Sequence, residues 1–133
     1  MGSEAAKKRI LVIDDDERAL ISLECLLETE GYETTTAWSG QEGLALLRSQ
    51  QFDLVLLDDY LRDIEHEDIF EQIRNLEIQP LVILTESAPM SEARTYYVDL
   101  GAIAIVGKWD PCEAIASEVR KCFARNALET VSA

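Results

Sequence analysis

The side chains best suited to chemistry are carboxylates, a threonine and a lysine that lie just past short apolar runs. Asp14 and Asp15 follow the first run, Asp58 follows a second, and Thr85 and Lys108 follow two more. Oxygen ligands without histidine or cysteine favour Mg²⁺ or Mn²⁺ over zinc. A hydroxyl and a compact ammonium group are suited to phosphoryl oxygens. The pattern therefore predicts a site that binds a divalent cation and handles a phosphoryl group.

Charge repulsion supports a cation at this site. Several carboxylates gathered at one pole of a domain repel one another by several kcal/mol at an effective dielectric of about 20, unless a cation compensates. Helix capping is a sufficient explanation for Asp16 and Asp59, but not for the whole set. The chain contains neither a GxxxxGK[ST] loop nor a GxGxxG motif after its first run. Nucleotide binding therefore has little support.

The elements that must position these residues are short strands alternating with helices. Apolar residues at helical spacing fill the segments between the runs, and a run too short for a helix and rich in branched side chains is typical of a strand buried on both faces. Strict alternation of this kind favours a parallel sheet covered by helices. We therefore predict an α/β fold, a flavodoxin-like doubly wound (βα)5 sandwich with strand order 2-1-3-4-5. The predicted strands are Ile10–Ile13, Tyr32–Ala37, Leu54–Leu57, Leu81–Leu84 and Ile103–Val106, and the polar second strand is placed at an edge.

Glycines and capping residues mark the predicted helix ends. Gly31 and Gly101 fall where helices stop, whereas Ser39 with Glu42 is typical of a helix start. A second start is predicted at Asp110, Pro111 and Glu113. The domain is predicted to span residues 9–126, with flexible tails at 1–8 and 127–133.

Composition narrows the class of protein. The 133 residues are 47% hydrophobic, enough for one ordinary core. A net charge of -14 makes direct binding to nucleic acid improbable. No apolar run approaches the roughly 20 residues of a membrane span, and a cytoplasmic protein without membrane insertion is expected. Three scattered cysteines, which fall in predicted helices, encode neither a disulfide framework nor a zinc site and are expected to pack in or near the core: Cys25, Cys112 and Cys122.

Four motifs, in order and at fitting intervals, resemble a response-regulator receiver domain of two-component signalling, of the chemotaxis-receiver type. They are ILVIDDDE at Ile10–Glu17, FDLVLLD at Phe52–Asp58, PLVILT at Pro80–Thr85 and GAIAIVGK at Gly101–Lys108. The resemblance extends from about Lys8 to Phe123.

The resemblance implies a role for each residue of the site. Asp58 would be the phospho-acceptor that attacks a kinase phosphohistidine. Asp15 would hold Mg²⁺ directly and Asp14 partly through water, together with Asp58 and the backbone carbonyl of Tyr60. Lys108 would pair with Asp58 and then with the phosphoryl group. Thr85 would donate a hydrogen bond to that group and, by moving toward it, shift the surface formed by the fourth helix and the fifth strand.

Three features depart from the family pattern. Trp109 follows Lys108 where the family usually has proline, so a cis peptide there is improbable. Ile105 occupies the position of the switching aromatic residue. The loop Tyr60–Glu67 reads YLRDIEHE and contains neither proline nor glycine. Tyr60 and Ser87 occupy positions that tune hydrolysis of the phosphoryl group in the family, while His66 is expected to be a solvated loop residue.

Three functions follow from these observations. The first is a phosphorylation-dependent switch, not an enzyme apart from phosphotransfer to itself and autodephosphorylation. Its partners would be a sensor histidine kinase or phosphotransfer protein and a downstream protein target, and the resemblance also allows a homodimer. The second is a receiver-like docking module that does not switch. The third is a Mg²⁺-dependent aspartyl phosphohydrolase, against which Tyr60 counts because it stands where a DxD acid/base would be.

Overall fold

Five parallel strands form one sheet in the order β2-β1-β3-β4-β5, as predicted. A computed structural model describes residues 6–87 and 94–132, and the side chains of 129–132 are not considered. The strands are β1 (Arg9–Ile13), β2 (Glu33–Ala37), β3 (Leu54–Asp58), β4 (Leu81–Glu86) and β5 (Ala104–Gly107). The predicted N-terminal tail lies for the most part outside the described residues.

The helices alternate with the strands along the chain. They are α1 (Glu17–Thr29), α2 (Gly40–Ser49), α3 (His66–Arg74), α4 (Arg94–Leu100) and α5 (Cys112–Ser132). Helix α5 extends to Ser132 and so continues past residue 126, which was predicted to end the domain. The predicted domain boundaries themselves stay a prediction.

The sheet separates two apolar layers, because successive side chains of a strand point to opposite faces. On one face Leu11 and Ile13 of β1 belong to a cluster with residues of α2 and α3. On the other face Ile10 and Val12 belong to a cluster with residues of α1 and α5. The central strands β1 and β3 are therefore buried on both faces, and their carboxyl ends are held rigidly.

Local sequence signals end and begin the helices largely as predicted. Gly31 and Gly101 adopt φ values of 95° and 130°, which side chains with a Cβ rarely tolerate. The Ser39 hydroxyl accepts a hydrogen bond from the Glu42 amide at 3.0 Å. The prediction for Asp110 was wrong, because its carboxylate turns back and accepts from the Gly107 amide at 2.9 Å instead of capping α5.

Two predictions about burial were also wrong. Cys25 and Cys112 are exposed, and only Cys122 of the three cysteines is buried. His66 is not a solvated loop residue: it is the first residue of α3, half-buried, and its ring packs 5.0 Å from that of Tyr97. A helix buries one face and exposes the other, so the position of each residue around its helix decides how far it is buried.

Candidate functional site

The carboxyl ends of the strands bring the predicted residues to one pole of the sheet. Asp58 is the last residue of β3 and lies in register with Thr85 of β4. Asp14 follows β1 directly, and Lys108 follows β5. These four side chains are buried, Asp15 is half-buried, and the side chain of Tyr60, predicted to contribute its backbone carbonyl, is exposed. The convergence expected from parallel topology is thus present in the structure.

Lys108 is the buried cation of the site. Its Nζ donates to Asp14 Oδ1 at 2.9 Å and lies 3.6 Å from Asp58 Oδ2. The Lys108 backbone amide donates to the Glu86 carbonyl at 2.7 Å, which fixes the start of the side chain. One ammonium group therefore faces two buried carboxylates.

The three aspartates form a cluster that fits a divalent cation. One carboxylate oxygen from each of Asp14, Asp15 and Asp58 lies within 4.8 Å of the others, the only such cluster in the part of the chain that the structure describes. Asp14 Oδ2, Asp15 Oδ2 and Asp58 Oδ1 are buried and have no hydrogen-bond partner. Buried carboxylate oxygens are seldom left unpaired, since the desolvation cost is high. The donor set is all oxygen, as Mg²⁺ prefers.

Burial dominates the electrostatics of the site. Burial and, after it, the charge of Asp14 raise the pKa of Asp58, Lys108 opposes them, and the net pKa is about 8. Burial also raises the pKa of Asp14, against hydrogen bonds from the Asp16 amide and Lys108. Burial alone would lower the pKa of Lys108, but its hydrogen bond to Asp14 and the charge of Asp58 raise it. Without a metal ion, Asp58 therefore keeps its proton to a higher pH than an exposed aspartate does.

Thr85 lies in register with Asp58, and its hydroxyl is directed to the backbone. Its Oγ1 lies 3.5 Å from the carbonyl oxygen of Leu57, at the limit of a hydrogen bond. The backbone carbonyl of Thr85 accepts from the Asp59 amide at 2.9 Å. The backbone is thus fixed next to Asp58, whereas the hydroxyl is weakly held and can rotate toward a new acceptor.

An open cavity of about 350 Å³ gives access to the cluster. Asp15, Asp58 and Lys108 line it together with Tyr60 and Ser87. The Tyr60 side chain is 68% exposed, and the Ser87 hydroxyl donates to Asp59 Oδ1 at 3.2 Å. The cavity is large enough for a phosphoryl group and its waters, and Asp58 forms part of its wall.

The two neighbouring aspartates have structural roles. Asp16 is the N-cap of α1, and its side chain accepts from the Arg18 amide at 2.9 Å. Asp59 binds Ser87, as described above. The capping explanation is confirmed for Asp16, whereas Asp59 caps no described helix and instead binds Ser87 after β4.

Two residues of the loop between β3 and α3 contribute to the site although no sequence pattern predicts them. Arg62 Nε lies 3.7 Å from Asp15 Oδ2 at the mouth of the cavity. Asp63 accepts from the amides of Gly40 and Gln41 at 3.0 and 2.8 Å, so it caps α2 from a distance. Without proline or glycine in the loop, its path could not be read from local turn chemistry.

Two of the features that depart from the family pattern, Ile105 and Trp109, lie within β5 and just after it. No cis peptide bond occurs within residues 6–87 and 94–132, so the Lys108–Trp109 bond is trans. The Trp109 ring is 55% exposed, with the Lys108 Nζ 5.8 Å from its centroid. Ile105 is buried against the core face that contains α2 and α3.

A family model described as the response regulator receiver domain matches residues 10–120. The chain belongs to this family. It is therefore a receiver domain of two-component response regulators, which are signalling proteins and not conventional enzymes. Within the ranges described, no helix is long and apolar enough to cross a membrane.

Individual relatives agree with this family. A receiver domain protein from Methanospirillum hungatei is 29% identical, with a TM-score of 0.85 over 93% of this chain and 99% of that one. TrrA from Thermotoga maritima, solved with Mg²⁺ and BeF, is 32% identical, with a TM-score of 0.75 over 86% and 97%. YkoG of Bacillus subtilis, named a transcriptional regulatory protein, is 29% identical over 93% of this chain. The match covers 54% of YkoG; a match to AfsQ1 of Streptomyces coelicolor, 38% identical over 76 residues, covers 34% of that relative, so the chain spans about half or less of their length.

Proposed function

We propose that this receiver is a phosphorylation-dependent switch whose Asp58 accepts a phosphoryl group from a phosphohistidine on a sensor kinase or phosphotransfer protein. The observation that carries the proposal is Asp58 Oδ1, a buried oxygen without a partner beside an open cavity. Its other oxygen faces the Lys108 ammonium at 3.6 Å. A held carboxylate with one free oxygen is a positioned nucleophile.

The transfer needs little from the protein beyond position and charge. An Asp58 oxygen forms a bond to phosphorus as the bond between phosphorus and the donor imidazole nitrogen breaks. The imidazole keeps the electron pair of the broken bond, and the product is an aspartyl phosphate. Lys108 is placed to pair with the transferred phosphoryl group, because its Nζ already contacts both Asp14 and Asp58.

Asp14, Asp15 and Asp58, with the backbone carbonyl of Tyr60, are the residues that would hold Mg²⁺, or Mn²⁺ in its place. The three unpaired carboxylate oxygens fit such an ion. When bound, the ion would neutralise negative charge on the phosphoryl oxygens during transfer. The rest of the site fixes Asp58 at the end of a buried strand.

Thr85 would couple the modification to the rest of the domain. Its hydroxyl is held only at 3.5 Å by the Leu57 carbonyl, so a phosphoryl oxygen on Asp58 is a better acceptor. Leu84 of β4 pairs with Ile105 of β5. Ile105 is buried and occupies the position of the family's switching aromatic residue. A small displacement of β4 would therefore be transmitted through packing to β5 and α4.

The output of the switch would be a contact with a downstream protein, made by the cytoplasmic domain of residues 9–126. The net charge of -14 opposes direct binding to nucleic acid. A homodimer is one form that this contact would take.

Beryllofluoride with Mg²⁺ tests the proposal, because it mimics an aspartyl phosphate without hydrolysis. Amide NMR spectra of the chain would be recorded during the titration, with Asp58→Asn as the inactive variant and Asp99→Asn, an exposed aspartate of α4, as the matched control. We expect saturable shifts that require Mg²⁺, vanish in Asp58→Asn and persist in Asp99→Asn. Shifts confined to the pocket, with none at Ile105 or α4, would favour the docking module. Absence of binding would overturn the proposed phospho-acceptor site.

A further inference from the structure

Arg62 is a second cation at the acidic pocket, of a different kind from Lys108. Its Nε lies 3.7 Å from Asp15 Oδ2, while its side chain is 84% exposed. That carboxylate oxygen is buried and has no hydrogen-bond partner. Lys108 is buried and hydrogen-bonded to Asp14, whereas Arg62 touches the cluster from the solvent side.

The loop holds Arg62 in this position from both sides. The preceding residue, Leu61, is buried in the core. The following residue, Asp63, accepts from the first two amides of α2 with both carboxylate oxygens. The backbone on either side of Arg62 is thus fixed at the mouth of the cavity, and only its side chain is free to move.

We infer that Arg62 is a resident counter-cation of the pocket that competes with a divalent cation for Asp15 and thereby weakens metal binding. The inference rests on the proposed function, because it takes the three-aspartate cluster as the metal site. An ion bound between Asp15 and Asp58 would lie within a few ångströms of the guanidinium group. Like charges at that distance repel even at the high dielectric of a protein surface.

This competition raises the concentration of divalent cation at which the pocket is filled. The guanidinium must leave Asp15 before the ion can use that oxygen, and the exposed side chain can do so by rotating into solvent. The affinity of the pocket is then lower than its three carboxylates alone would give. Binding also becomes less sensitive to salt than in a pocket without the competing charge.

Metal binding to the full chain tests the inference directly. Mg²⁺ alone would be titrated by calorimetry at low ionic strength, with the fluorescence of the two tryptophans, Trp38 and Trp109, as a second readout. The variants are Arg62→Gln, which removes the charge, and Arg62→Lys, which keeps it. Arg48→Gln removes a charge from an exposed arginine of α2 that contacts Gln72 and serves as the matched control.

We expect Arg62→Gln to bind Mg²⁺ about three to ten times more tightly than the natural chain. Arg62→Lys should stay within about twofold of the natural chain, and Arg48→Gln should be unchanged within error. Added KCl should shrink the gain of Arg62→Gln, because salt screens the removed repulsion.

The outcomes separate the inference from the proposed function. Equal or weaker binding by Arg62→Gln, with Mg²⁺ still bound, overturns the inference alone. Equal tightening by Arg62→Lys also overturns it, since the cause would then be loop geometry and not charge. If neither the natural chain nor Arg62→Gln binds Mg²⁺, the metal site of the proposed function fails with it.

Discussion

Replacing Asp58 by asparagine should stabilise the metal-free protein while abolishing phosphorylation. Asp58 is 2% exposed and shares one ammonium group with Asp14. Burial and the charge of Asp14 raise its pKa to about 8. The folded state therefore resists an ionisation that the unfolded chain undergoes freely. Asparagine keeps the shape of the side chain and removes this penalty.

The magnitude follows from proton linkage. Unfolded Asp58 releases its proton near its ordinary pKa of 3.8, whereas the folded group holds it until about pH 8. Between these values the folded state binds more protons, so the free energy of unfolding falls as pH rises, by about 1.4 kcal/mol per pH unit. At pH 7 the loss reaches about 4 kcal/mol. The new amide must itself find hydrogen-bond partners, which reduces the gain. We therefore expect the free energy of unfolding of Asp58→Asn to exceed that of the natural chain by about 2 to 4 kcal/mol at pH 7 and by at most about 1.5 kcal/mol at pH 5.

Urea unfolding in EDTA at pH 5, 6, 7 and 8 would measure the difference, with Asp99→Asn as the control for loss of an exposed charge. Mg²⁺ should then raise the stability of the natural chain and leave Asp58→Asn nearly unchanged, which closes the gap. A difference that does not grow between pH 5 and pH 7, or a less stable variant, would refute the argument that Asp58 is a buried, destabilising charge.

Three further predictions concern the surroundings of the site. Gly43→Ala should lower the free energy of unfolding by about 1 kcal/mol in urea, because the new Cβ would lie 2.4 Å from Ile13 Cδ1 and overpacking exceeds the gain in helix propensity; a more stable variant would contradict this packing. Lys108→Met should lose about 2 to 4 kcal/mol at pH 7, because two buried carboxylates lose their cation, and thermal melts should show recovery as the pH falls to 5 and the carboxylates take up protons; a loss independent of pH would contradict it. Asp63→Ala should cost about 1 to 2 kcal/mol in urea unfolding, because the Gly40 and Gln41 amides of α2 lose their acceptor while the Ser39 cap remains, and Asp63→Asn should recover part of that loss; equal stability of both variants and the natural chain would show that these two hydrogen bonds contribute nothing.

The fold and the centre of the site could be predicted because both depend on periodicity. Apolar runs such as Leu54–Leu57 identify strands, and the alternation with helices fixes a parallel sheet. The position of Asp58 then follows from topology alone, since it stands where a central strand ends. The acidic cluster needed no knowledge of side-chain conformation.

The remaining features depend on side-chain directions that no periodicity encodes. Asp110 has the spacing of a helix cap, but the tight turn after β5 brings the Gly107 amide within its reach first. Arg62 and Asp63 lie in a loop without turn residues, and their partners, Asp15 and α2, are distant in sequence. Long-range pairs of this kind are settled by tertiary packing, so they appear only in the structure.

The two edges of the sheet restrict how this receiver can associate with other proteins. Edge strand β2 carries Glu33 and three threonines, and edge strand β5 is only four residues long. An edge that is polar or short is a poor template for an added strand, whether from a partner or from a second copy of the chain. Recognition of this domain is therefore directed to its helices and loops, and the sheet is protected from the edge-to-edge pairing that begins aggregation.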